Sequence, residues 1–183
     1  MPPTIRARLF MERNMISSAI PIRFTATTYP AWDFMGSETL YIKILYTDYH
    51  AGYTVIECMG EWNDAINNDI MHLKRNIIDE QYAAGITKFI LIGENILNFH
   101  GSDDSYYEEW FDEVEDTEDR AEGIPGWIAA VAFPDFIQDE LKRYRIDQYV
   151  NMGGTLQITN WRTLHPNTFC EMVNTLVTRR LAG

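Results

Sequence analysis

Side chains able to do chemistry are densest between residues 100 and 104, where His100, Ser102, Asp103 and Asp104 put an imidazole, a hydroxyl and two carboxylates around Gly101. Ser102 is a candidate phosphoacceptor, because a phosphate just ahead of a helix meets unpaired backbone N–H groups. The same Ser-Asp-Asp run is also what a helix N-cap requires. His100 with a neighbouring Asp has the makings of a general base or a metal ligand set. The four histidines, at positions 50, 72, 100 and 165, nevertheless have neither HxH nor HExxH spacing, so no metal centre is expected. A second candidate set is acidic. Asp48, Glu61, Asp64 and Glu94 fall near the predicted carboxyl ends of strands, where open α/β sheets bind ligands and where carboxylates could hold Mg²⁺ in a small enzyme. Acids at such places also cap helices and solvate loops. There is no Gly-rich phosphate loop, no GxSxG elbow and no Cys/His nucleophile motif, so neither a catalytic nucleophile nor a cofactor is expected.

These residues depend on the elements that carry them. Two β-rich runs, 40–46 and 53–59, are separated by six residues ending in Gly52 and read as a hairpin. Gly60 is expected to break the second strand. Asn63 or Asp64 then caps a helix bearing Ile66, Ile70, Leu73, Ile77 and Ile78 at spacings of three and four until Gly85 stops it. Residues 88–92 form an apolar run of the buried parallel type, followed by a helix over 105–114 with Tyr106, Trp110 and Val114 on one face. Strand 127–133 leads through Pro134-Asp135 into a helix with Phe136, Ile137, Leu141 and Tyr144. A short strand over 149–152 and a helix over 167–181 complete the pattern. Strands alternating with helices imply βα units and an α/β fold with a mixed, mainly parallel sheet. Residues 1–38, with an alternating run at 20–27 and a turn at 29–33, read as an N-terminal extension packing on a single domain over 39–183.

Composition narrows the classes of function. The 183 residues are 46% hydrophobic and 23% charged, ordinary for a globular domain. The longest apolar runs fall far short of the roughly 20 residues needed to cross a bilayer, so a soluble protein without a membrane partner is expected. The net charge is −12, and the stretch 103–122 alone holds eleven acids against Arg120. Such a chain repels phosphate backbones, which excludes nucleic acid as a partner. A single-signed field suits instead a protein partner with a basic surface. The N-terminus is locally basic, with Arg6, Arg8, Arg13 and Arg23, but lacks the uninterrupted apolar region of a secretory signal. Cys58 and Cys170 have no zinc or CxxC spacing and read as buried free thiols in a reducing cytoplasm.

Three motifs in order carry a family resemblance. Gly60-Glu61-Trp62-Asn63 ends the second strand, with Asn63 where the family has Asp. The stretch 88–104 then leads through Phe99 to Ser102, and strand 127–133 runs into Pro134 and later Ile146-Asp147. This series resembles the STAS domain of anti-sigma-factor antagonists and sulfate-transporter tails, over roughly residues 40–176. The resemblance implies a SpoIIAA-like fold and a non-enzymatic regulatory module that binds a partner through Asn63, His100, Asp103 and Asp104, with Ser102 at the family's phosphorylated position. Gly101, Asp103 and Asp104 replace the flanking family residues there, so carboxylates already supply the charge a phosphate would add. The alternative is a small enzyme using the acidic set. A third possibility is a homo-oligomer in which Tyr29, Trp32 and Phe34 cover a neighbouring copy.

Overall fold

The computed structural model of the chain describes residues 34–116 and 125–181. The readings at 20–27 and 29–33, and the last part of the acidic tract, lie outside them. Strands β1 (Leu40–Asp48), β2 (Tyr53–Asn63), β3 (Lys88–His100) and β4 (Trp127–Val131) form one sheet in the order β1-β2-β3-β4. β1 and β2 are antiparallel, while β2–β3 and β3–β4 are parallel. The expected α/β architecture with a mixed, mainly parallel sheet is therefore the one observed, as a single body.

Helices cover both faces. Between β2 and β3 run α1 (Asp69–Leu73), a π-helical turn (Lys74–Ile78) and α2 (Asp79–Ala83); α3 (Ser105–Glu115) joins β3 to β4, and α4 (Asp135–Arg143) follows β4. Their side chains Ile70, Leu73, Ile77, Trp110, Val114, Ile137 and Leu141 bury Ile56, Leu91, Ile128 and Ala130 of the strands. The opposite face carries Val55, Ile90, Ile92, Ala129 and Val131 against Trp161, Phe169, Val173 and Val177, the last three from α5 (Pro166–Leu181). Strands buried on both faces read as continuous apolar runs, as 88–92 does.

Several boundaries differ from expectation. Gly60 does not end β2: it sits inside the strand at φ +99°, where a Cβ would strike the Thr39 carbonyl, and pairing resumes beyond it to Asn63. The helix starts at Asp69 rather than at Asn63 or Asp64, and Ile66, expected in the core, is 82% exposed in the connecting turn. Its apolar spacing extends that of the helix by one turn, but the backbone there is spent closing the strand exit. β3 runs eight residues past Ile92, with Ile96 and Phe99 buried in the helix-covered core while Leu97 and Asn98 between them are exposed, Leu97 at 70%. In α3 it is Tyr107 rather than Tyr106 that joins Trp110 and Val114 in burial. Phe136 is 56% exposed. The strand foreseen at 149–152 reduces to one bridge, Ala129 to Asn151.

Candidate functional site

The parallel pairing of β2 with β3 brings their exits together, with Asn63 opposite His100 in register. After Asn63 the chain folds back: the amides of Asp64 and Ala65 both donate to the His100 carbonyl, at 2.8 and 3.1 Å, and the Asn63 Oδ1 accepts from Ile66 N–H at 3.0 Å. That bend holds Ile66 out in solvent. On the β3 side, His100 is exposed, with Nε2 2.8 Å from Asn98 Nδ2. Gly101 is buried where a Cβ would meet the Tyr144 ring at 2.5 Å, so only glycine lets the chain pass the end of α4 at this point.

Ser102 and Asp103 are exposed. The side chain that closes the turn is Asp103, whose Oδ1 accepts from the Ser105 amide at 3.1 Å and from the Ser105 hydroxyl. These bonds hold its carboxyl below the usual carboxylate range. Asp104 is half-buried and accepts a hydrogen bond from the Tyr149 hydroxyl at 3.2 Å. The structure thus gathers Asn63, His100, Ser102, Asp103 and Asp104 at one end of the sheet.

The acidic set is spread apart. Asp48 pairs in register with Tyr53, the first residue of β2, whereas Asp64 follows the last. At ~3.3 Å per strand residue the two lie about 30 Å apart. Asp48 closes the hairpin by accepting from the amides of His50 and Ala51. Glu61 is exposed. Glu94 is held by Arg162, whose Nε donates to it at 2.9 Å and whose terminal nitrogen reaches Glu57 at 2.5 Å. The guanidinium also stacks on Trp161, 4.2 Å from the ring centroid. Among the described residues no group of three or more His, Cys, Asp or Glu side chains is arranged to hold a metal ion. Both thiols are buried and free; burial, then the charge of Asp48 and Glu171, pushes Cys170 up to about 12, and Cys58 is also raised by burial. A thiol so placed stays protonated and unreactive.

Asp64 itself is only 4% exposed. Its Oδ1 accepts from Trp62 Nε1 at 2.9 Å and from the Ile70 amide at 2.8 Å, and its Oδ2 accepts from the Tyr107 hydroxyl at 2.8 Å. Asp69, fully buried, accepts from the Asn63 amide at 2.7 Å. Residues 63–64 and 69–70 therefore exchange carboxylate-to-amide bonds in both directions, and this clasp positions the bend that displays Ile66. Burial outweighs these bonds and, with Asp69 nearby, raises the Asp64 carboxyl to about 6.

Arg162, Trp161, Asp69, Tyr107 and Lys74 escaped sequence reading. Arg162 meets partners 68 and 105 positions away, a separation that leaves no local spacing to notice. No protein-family model matches the chain, and no curated protein matches it.

Proposed function

We propose that the chain is a STAS-like, non-enzymatic interaction module working in the cytoplasm, which binds a protein partner with a basic surface through the paired exits of β2 and β3. The observation that carries this reading is the convergence of Asn63, His100, Ser102 and Asp103 at one end of the sheet beside a bend that leaves Ile66 82% exposed. A large aliphatic side chain held outward by a bonded turn, on the bend next to the strand exit that leads into Ser102 and Asp103, offers a partner an apolar anchor and a charged border. The two Asp residues give that border the sign that attracts Arg or Lys. Ser102, exposed two positions ahead of Asp104, remains accessible to a kinase. The separation of Asp48 from Asp64 supports a binding surface over a carboxylate-built catalytic centre.

Affinity capture from native lysate tests the reading with immobilised wild type, Ile66→Asp, and the Asp103→Asn/Asp104→Asn pair. A protein retained by wild type and lost from Ile66→Asp, with the Asn pair weakened by about 1–3 kcal/mol if those carboxylates meet Arg in buried pairs, is the expected result. Retention equal on all three proteins would show that contact is made elsewhere.

A further inference from the structure

We propose that Asn98 is a positioning residue that fixes the tautomer of His100, so that the β3 exit offers a docking partner a ring Nδ1–H donor suited to a main-chain carbonyl. The choice of partner group rests on the docking reading above; the tautomer does not.

The roles are forced one after another, starting from the backbone. The Phe99 N–H can only donate, and its partner on the Asn98 side chain is 2.9 Å away, so the atom that receives it is the amide oxygen Oδ1. The other branch of that amide is then the NH2 group. It has hydrogens but no lone pair to offer, and it lies 2.8 Å from His100 Nε2. Nε2 therefore accepts. A neutral imidazole carries a single ring proton, which is left to Nδ1. An unconstrained imidazole in water prefers the opposite arrangement, with the proton on Nε2, so the bond from Asn98 selects the minor form. The backbone that starts this chain of bonds is well held: Phe99 is 2% exposed, with its ring centroid 6.1 Å from those of both Trp62 and Tyr144.

The tautomer decides what the ring can do. With its one lone pair accepting from Asn98, His100 serves poorly as a general base or a metal ligand, since either role first breaks that bond. What it offers is a donor. Among the described residues no hydrogen bond from Nδ1 is formed, and the ring is exposed at the strand exit, open to an incoming group. The acceptor that fits is neutral: Asp103, an exposed carboxylate three positions on, disfavours a second carboxylate beside it and leaves a main-chain carbonyl unopposed. A partner would then meet Asp103 with a cation and His100 with its backbone.

Long-range 1H–15N correlation on the 15N-labelled full chain reads the tautomer without any partner, on the neutral ring, with His100→Gln identifying its resonances among the four histidines. In wild type, Nε2 should show the pyridine-type shift and Nδ1 the pyrrole-type shift. Asn98→Asp is the decisive variant, because its carboxylate still accepts from the Phe99 N–H but cannot donate, and so draws the ring proton onto Nε2. The two shifts should exchange. A wild-type ring protonated on Nε2, or the same tautomer in wild type and Asn98→Asp, overturns the proposal. Should Asn98→Asp not fold, Asn98→Ala decides: it should return the ring to the mixture in which Nε2–H predominates, and an unchanged ring overturns the role of Asn98. For the protein retained by wild type in native-lysate capture, Asn98→Asp should loosen binding about fivefold, the worth of one hydrogen bond, although its added charge alone would tighten contact with a basic surface. Equal or tighter binding overturns the carbonyl contact. The expected tautomer in a protein that captures no partner leaves the ring assignment standing and removes the docking reading, so the two failures are told apart.

Discussion

Arg162 illustrates how one side chain can hold two others in place. It is half exposed, yet it neutralises Glu57, which is buried in the sheet face, and Glu94. Asn95 Nδ2 at 3.2 Å is a further donor to Glu57. Removing the guanidinium leaves Glu57 as a buried carboxylate with one neutral donor, and such an orphaned group costs more than the exposed half of the pair was worth. Arg162→Ala should lower unfolding free energy by about 1–3 kcal/mol in urea melts. The double variant Arg162→Ala/Glu57→Gln should recover part of that loss, because the charge that needed the arginine is gone. Equal stabilities for the single and double variants would assign the cost to lost packing on Trp161.

At the scale of elements, α3 is bound to the π-helical turn by charge. Lys74, fully buried on that turn, reaches Asp79, Glu113 at 2.9 Å and Glu109 at 3.5 Å, and Arg75 forks onto Glu109 at 2.6 and 2.7 Å. Burial pushes the Lys74 amine down, but the bonds and charges of Asp79 and Glu113 outweigh it and raise it overall. A π-turn widens the helix by one residue per turn and re-aims the side chains it carries; here the side chain it carries is the one that bridges to α3. Lys74→Ala should cost about 2–4 kcal/mol by chemical denaturation. Lys74→Met, which keeps the apolar stem while the one-third-exposed carboxylates turn to water, should cost about half as much. Losses of the same size would mean that charge, not the stem, sets the contribution. The acidic helix is thus partly spoken for: Glu109 and Glu113 face this cluster, while Glu108, Asp112, Glu115 and Asp116 do not take part in it.

For the whole molecule, the charge that remains outward still sets how it meets a partner. A net −12 concentrated near one segment steers a basic surface at low ionic strength. Association measured by stopped flow should slow several-fold between about 50 and 300 mM salt, a range over which the Debye length shrinks by more than half. Dissociation should change little. A rate insensitive to salt would make the acidic tract ordinary solvated exterior. Among the described residues no helix is long and apolar enough to cross a membrane.

What was legible in the sequence was whatever local periodicity controls. Apolar runs buried on both faces announced β3 and β4, the spacing of Ile70, Leu73 and Ile77 announced a helix, and Gly85, at φ +105°, ended it as expected. The gathering of His100, Ser102, Asp103 and Asp104 was equally visible, being contiguous in the chain. Ile66 marks the limit: its type and spacing suited a core helix, but the reciprocal bonds between residues 63–64 and 69–70 fix the backbone there in a bend and turn it outward. Gly60 is a second case, read locally as a strand end, whereas the approach of Thr39 makes it the residue that lets the strand continue. The Asp64 clasp, the Arg162 pair and the Lys74 cluster join residues drawn from separate elements. Hydrogen bonds and ion pairs between elements leave no period in a sequence; only the packing of the elements decides which charge finds which partner.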